Sequence, residues 1–371
     1  MLFPSTADPA ILTRILIVTP IPTPYSAELF DAVAATGQYR LCVMYASPEP
    51  LGRLWKLPPL RHDQMFLNRM TDAEAMDAVI SQDLVVFSGY NSYGFGRLIK
   101  GRNRSGRPWA FWGERPGVLI PRYLGRRYRK IVFPEMSHSI APIWGIGLWA
   151  IEGYRQELGE NRLYLNVPYF SDLGPFLSIE RDHKRSRPCR FLFSGSFIRR
   201  KGVKPLIEAF VELVRMGSDA ELHLLGDGPL RGKLQSATSS IADRVHFHGF
   251  RQRDELPAFY AKADVLCAPS LYDGWGLIVP EGLAAGMLVI STTETGSARD
   301  LVTQDCGWLI APNDKNALLD AMMRASTLPP SECSSKSMQA RKIGQTQDIK
   351  VGVKRFCEAI DMSLSAWNRS K

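Results

Sequence analysis

The residues from 265 to 291 constrain this chain more than any others. An apolar run at 265–268 reads as a buried strand and leads into a loop in which Gly274 and Gly276 flank Trp275. Pro280 marks the expected first position of a short helix, Gly286 its end, and residues 287–291 a second strand. Glycines let backbone amides approach a ligand closely, and a helix start offers unpaired N–H groups at a positive dipole end. An anion such as a phosphate suits this place. Asp273 and Glu281 stand eight residues apart on the two sides of the loop. A phosphate would repel them, so they suit hydroxyl donors such as those of a sugar or ribose ring. Composition alone leaves it equally open that Glu281 complements its helix dipole and Asp273 caps a turn.

The rest of the chain repeats the same unit. Strand-like runs at 14–19, 41–45, 84–88 and 108–112 alternate with helical patterns at about 27–35 and 72–80. The pattern lapses after Pro168 and restarts with a strand at 191–194, a helix at 203–216, and strands at 221–225 and 245–250. At 371 residues the chain is long enough for two cores. The expectation is an α/β protein with two doubly wound, Rossmann-like domains facing each other across a cleft. The divisions expected are a loose extension at 1–10, an acceptor domain at 11–170, a linker at 171–189, a donor domain at 190–345, and a helix at 346–371 crossing back to the first domain. Val353, Phe356, Ile360, Leu364 and Trp367 share one face of that last helix. Ligands in such sheets lie beyond the carboxyl ends of the strands, where Tyr25, Gly89 and Glu114 are expected to gather.

Other features narrow the chemistry. The loop Gly195–Gly202 holds Arg199, Arg200 and Lys201 at a strand's carboxyl end, a setting suited to a diphosphate. The G-D-G-P turn at 226–229 is weak evidence for a dinucleotide site, because Pro229 removes one amide; it reads as a chain reversal. Six cysteines without C-x-x-C pairing predict reduced thiols. His246 and His248 share a strand face, but with no third ligand nearby in sequence they read as structural, and no metal is expected. No D-x-D occurs. No run reaches the roughly 18 apolar residues of a membrane span, and the N-terminal run lacks signal-peptide features, which predicts a cytoplasmic protein. Residues 97–130 hold eleven Arg or Lys and one acid, Glu114, so this segment carries the excess behind the net charge of +9. An anionic partner is expected; nucleic acid is not, for want of a recognition motif. Within 122–132, Leu124, Tyr128, Ile131 and Val132 oppose a face of arginines. That pattern suits peripheral contact with an anionic membrane through 97–132, and equally a solvated helix packed on its own domain.

The segment Asp273-Gly274-Trp275-Gly276-Leu277-Ile278-Val279-Pro280-Glu281 resembles the donor-binding signature E-x-F-G-x-x-x-x-E of family 4 glycosyltransferases, with Asp in place of the first Glu. The loop at 195–202 is similar to the family's G-R-L-x-x-x-K-G, with Lys201 matching its Lys and Ser196 at its Arg position; Arg199 or Arg200 supplies the missing charge, or Lys201 acts with backbone amides alone. The resemblance is strong over about 190–312 and weak over 11–170. It implies a GT-B fold and a retaining, hexosyl-type transferase. The co-substrate would be a UDP- or GDP-sugar and the acceptor a hydroxyl of a glycan or lipid-linked molecule in bacterial surface polysaccharide synthesis, with no cofactor and no metal. It implies donor contacts from Ser196, Arg199, Arg200, Lys201, Phe250, Arg251, Asp273, Gly274, Trp275, Gly276, Leu277, Ile278 and Glu281. Glu114, Lys201 and Asp273 would be catalytic, with Tyr25, Glu114 and His138 on the acceptor side. Glu114 stands where family members often carry a His; it is either a base for the attacking hydroxyl or an ion-pair partner of Arg115 or a neighbouring arginine. The rival readings are a nucleotide-sugar epimerase of the same fold, a dinucleotide-dependent oxidoreductase, and a non-catalytic nucleotide-sugar binder.

Overall fold

The computed structural model describes residues 12–48, 54–90, 94–116, 122–182 and 188–369. The extension expected at 1–10 lies outside these residues, as do 183–187 of the expected linker and 117–121 of the basic segment. Among the described residues seven strands form the first sheet: β1 (Thr13–Thr19), β2 (Tyr39–Tyr45), β3 (Asp63–Phe66), β4 (Leu84–Phe87), β5 (Trp109–Gly113), β6 (Ile143–Gly145) and β7 (Tyr164–Asn166). Six form the second: β8 (Cys189–Ser194), β9 (Ala220–Leu225), β10 (Val245–Gly249), β11 (Val265–Ala268), β12 (Leu288–Thr292) and β13 (Gly307–Ile310). The orders are β3-β2-β1-β4-β5-β6-β7 and β10-β9-β8-β11-β12-β13, with every pairing parallel. Each order reverses beside its first strand, between β1 and β4 and between β8 and β11, and a crevice opens there at the carboxyl ends.

Helices cover both faces of each sheet, which is why the strands read as unbroken apolar runs rather than alternating ones. Ile15, Leu16, Ile17 and Val18 are all fully buried, Ile15 and Ile17 in one cluster and Leu16 and Val18 in another. The six cysteines are free thiols, five buried and Cys42 half-buried. Among the described residues no helix is long and apolar enough to cross a membrane.

The helix Ile349–Arg369 packs on the first sheet. Phe356 and Ile360 are fully buried there, with the Phe356 ring 5.1 Å from Trp144 and 5.6 Å from Trp112. The Trp144 indole N–H donates to Ser363 Oγ (3.0 Å), and the Tyr39 hydroxyl donates to Asp361 (2.7 Å).

Two readings of the sequence need correction. Pro280 is the third residue, not the first, of the helix Ile278–Ala284; its missing amide is still one that no helical carbonyl could have taken, so the helix tolerates it but offers one donor fewer. Nor do the eleven cations of 97–130 form one face. Arg102 is fully buried and donates to the carbonyls of Val79, Ile80, Gln82, Asp83 and Pro108, and burial brings its pKa down to about 10. Arg97 pairs with Asp72, and Arg129 with Glu157.

Replacing Phe356 by Ala removes the ring on which Phe30, Trp112 and Trp144 all pack. Urea denaturation followed by tryptophan fluorescence should show the first half destabilised by about 3–5 kcal/mol. A loss below about 1 kcal/mol would mean that the helix is not part of that core.

Candidate active site

Two loops of the second sheet meet at its carboxyl edge. The loop after β8 ends at Gly202, whose φ of +68° and contact with the Pro269 carbonyl leave no room for a Cβ, so the loop after β11 lies directly on it. Leu271 N–H donates to the Arg200 carbonyl (2.8 Å), and the Arg200 guanidinium to the Tyr272 carbonyl (2.8 Å). Lys201 Nζ then stands 2.5 Å from Asp273 Oδ2, with Arg200 4.0 Å from the other oxygen. Arg199 is exposed and makes no ion pair among the described residues. The three loop cations are thus sorted: Lys201 faces inward, Arg200 braces the loop, and Arg199 points to solvent.

The first sheet brings Glu114 to the same point. It directly follows β5, and its carbonyl accepts from the Tyr154 hydroxyl (2.9 Å). Its carboxylate lies against the Gly274 backbone, in the space a Cβ at 274 would occupy, so only glycine allows the two loops to touch. Burial, and then the neighbouring Asp273 carboxylate, hold the Glu114 carboxyl above the usual range despite the opposing Arg200 and Lys201. The Arg115 guanidinium stacks on Trp149 (4.0 Å) and sits 3.7 Å from Glu294. Tyr25 packs on Tyr169 (5.1 Å), whose phenol is raised well above its ordinary range by burial and by Glu114. Tyr25 and Glu114 therefore share one wall. His138 does not join them. It is exposed at the end of the helix Pro134–His138, which leads to the amino end of β6, and so lies at the opposite edge of the sheet.

Glu281 is 4% exposed. Tyr260 OH donates to its Oε2 (3.1 Å), Arg253 lies 3.9 Å from Oε1, and burial raises its carboxyl above the ordinary range. Arg253 also stands 3.1 Å from Glu28 on the first half and donates to the Asp172 carbonyl (2.9 Å). This bridge of Glu28, Arg253 and Glu281 was missed by sequence reasoning. Arg253 lies in the R-Q-R-D-E-L run and could have been marked as a cation near a carboxylate; nothing in the sequence points to Glu28. A cavity of about 630 Å³ is lined by Trp55, Ser196, Gly226, Phe250 and Arg251 among others. The turn at 226–229 is therefore a wall of this cavity as well as a chain reversal. Trp55 comes from the first half, held where Lys56 N–H donates to Gln252 Oε1 and Gln252 Nε2 donates to the Leu54 carbonyl, both at 3.0 Å.

Three of the expected donor contacts pack wholly or partly into apolar clusters. Trp275 is 2% exposed, packed in the first half's core against Gly147, its indole N–H without an acceptor among the described residues; Leu277 packs on that same cluster and Ile278 on the second half's own core. The Trp275 ring is withdrawn from the cleft because it gains more from burial than a polar pocket returns, whereas Leu277 and Ile278 stay half-buried. His246 and His248 are not an isolated pair: His223 Nδ1 lies 2.9 Å from His248 Nε2 and Glu221 is adjacent. Burial keeps His223 and His248 below the usual imidazole range, His248 down to about 4.

A buried carboxyl with a raised pKa keeps its proton longer folded than unfolded. The penalty is absent below the ordinary value of 4.5 and grows as pH rises through the folded value. Glu114→Gln should therefore melt above the wild type at pH 7.5, the gap closing below about pH 4.5. A thermal scan over pH 4–8 checks this; a variant less stable than the wild type at pH 7.5 contradicts it.

The family described as Glycosyl transferases group 1 matches residues 188–327. The chain is 25% identical to the putative colanic acid biosynthesis glycosyltransferase WcaL of Escherichia coli K12, covering 56% of this chain and 52% of that one. It is 29% identical to the lipopolysaccharide glucosyltransferase WaaG of the same organism, covering 42% and 41%. The chain spans about half or less of the length of these curated relatives. Among solved structures, HepE of Anabaena in complex with UDP and glucose superposes with a TM-score of 0.72 at 15% identity, over 94% of this chain and 100% of that one. The two sheets thus have the GT-B fold, and residues 188–327 match the family described as Glycosyl transferases group 1.

Proposed function

We propose that this chain is a retaining, metal-independent glycosyltransferase of family 4. It would move a hexose from a UDP- or GDP-sugar to a hydroxyl of a glycan or lipid-linked acceptor in surface polysaccharide assembly. The observation that carries the reading is the meeting of Glu114 from one sheet with Gly274 of the other, beside the Lys201–Asp273 pair, with a 630 Å³ cavity lined by Ser196 and Ile198 of the loop that carries Lys201. HepE, of the same fold, was solved with UDP and with UDP-glucose, which supports a nucleotide sugar here.

In the reaction the bond from the sugar's anomeric carbon to the diphosphate breaks, and the acceptor oxygen bonds to that carbon on the same face. Negative charge grows on the leaving phosphate. Lys201, Arg200 and the amides of the loop are the groups at hand to stabilise it. Asp273, which holds Lys201 without substrate, accepts from sugar hydroxyls once a diphosphate takes the ammonium. Glu281 accepts from the ribose. Glu114 takes the acceptor's proton, a task for which a carboxyl held above the ordinary range is well matched near neutral pH.

The helix Arg122–Val132 supports a membrane-associated acceptor. Leu124, Tyr128, Ile131 and Val132 are 45–79% exposed rather than packed on their own domain, with Arg126, Arg127 and Lys130 also exposed beside them. An exposed apolar stripe flanked by cations suits the anionic, cytoplasmic face of a membrane.

Four outcomes are expected. Lys201→Ala should lower kcat for transfer about 10²–10³-fold. Glu114→Gln should lower it about 10²–10⁴-fold and remove the acid limb of the pH profile; an unchanged rate would take Glu114 out of the chemistry. Proton NMR of the glycoside should show the donor's anomeric configuration, and inversion would contradict the mechanism. Arg126→Glu with Arg127→Glu should abolish sedimentation with vesicles containing phosphatidylglycerol at low salt, whereas undiminished sedimentation would exclude this helix as the membrane contact.

A further inference from the structure

The second sheet carries a cluster that neither the cleft nor the cavity uses. β9 and β10 run parallel with His223 opposite His246. Leu222, Leu224 and Val245 point into the core, so Glu221, His223 and His246 share the other face. There the rings of His223 and His246 lie 4.7 Å apart, and those of His223 and His248 are stacked at 5.2 Å. One ligand atom from each of Glu221, His223 and His246 lies within 4.8 Å of the others.

We propose that Glu221, His223 and His246 form a binding site for a divalent transition metal ion of the zinc class, independent of the chemistry in the cleft. Two imidazoles and a carboxylate are the donors such an ion takes, with a fourth position left to water. Bonds of about 2.0–2.1 Å to nitrogen require the three ligand atoms to draw slightly together. All three side chains are half-buried on an edge strand and its neighbour, with room to do so.

The hydrogen bonds already present prepare the site. His223 Nε2 is 3.3 Å from Glu221 Oε2, while its Nδ1 is 2.9 Å from His248 Nε2. Without metal, His248 Nε2–H donates to His223 Nδ1, and His223 Nε2–H donates to Glu221. With metal at His223 Nε2, its Nδ1–H donates to His248 Nε2 instead, and each ring merely exchanges tautomer. No proton leaves the cluster. His248 then plays the part that outer partners of metal-bound histidines play, fixing ring and tautomer. The competitor is Arg190, whose Nε stands 2.8 Å from Glu221 Oε2 and must yield the carboxylate. The cluster was hidden from sequence because Glu221 and His223 lie more than twenty residues before His246, and only the β9–β10 register joins them.

Isothermal titration of the full chain, stripped by chelator, with ZnCl₂ tests this. The wild type should bind one equivalent; His246→Ala should abolish that binding, and His248→Ala should weaken it about 10–100-fold. Circular dichroism of each variant shows that the fold is kept. Substituting CoCl₂ should give visible absorption bands in the wild type that His246→Ala lacks. Absence of stoichiometric zinc binding, or binding undiminished in His246→Ala, would overturn the proposal. None of these readouts depends on transferase activity.

Discussion

The indole of Trp275 holds this structure together at its centre. It is carried by the second sheet, on the loop after β11, yet it is buried in the core of the first, against Gly147. Once that ring is placed, Gly274 is pressed onto the Glu114 carboxylate and Asp273 is turned toward Lys201. The same anchor brings Asp300 within 2.6 Å of the Leu148 amide and Arg299 over Trp149. Apolar burial across the cleft thus positions the polar groups that face into it. A Trp side chain buries far more apolar surface than its neighbouring glycines, so it sets the spacing and they accommodate it.

The charge arrangement follows from that spacing. Glu114 and Asp273 are carboxylates brought together by two different sheets, and Arg200 and Lys201 are the cations that make the approach tolerable. Without substrate the four groups largely satisfy one another. A diphosphate would compete with Asp273 for Lys201, and hydroxyls would then replace Lys201 at Asp273, so donor binding exchanges one set of partners for another. Arg253 joins Glu281 to Glu28 and so ties the loop and helix around Glu281 to the first half of the chain.

Much of this was legible in the sequence. The parallel α/β class could be read from apolar runs such as 14–19 and 265–268, because burial on both faces leaves no alternation. The pairing of Lys201 with Asp273 could be anticipated from two loops at neighbouring carboxyl ends. What escaped were short elements and cross-chain contacts. β6 and β7 are three residues each, too short to show a period. Trp275 reads as a ligand contact only through the signature its segment resembles, and nothing in the sequence says that the core of the other half receives it. Arg102 looked like surface charge until five backbone carbonyls were found around it, and His223 looked unremarked until strand register set it beside His246.

The central claim is that the cleft takes a nucleoside diphosphate through the loops around Lys201 and Glu281. Calorimetric titration with UDP and with GDP, on the wild type and on Glu281→Ala, tests it most directly. The account predicts one-to-one binding of one of the two by the wild type, weakened about tenfold or more when the buried carboxylate is lost, equivalent to about 1.4 kcal/mol. Failure of both nucleotides to bind, or binding unaffected by Glu281→Ala, would contradict it.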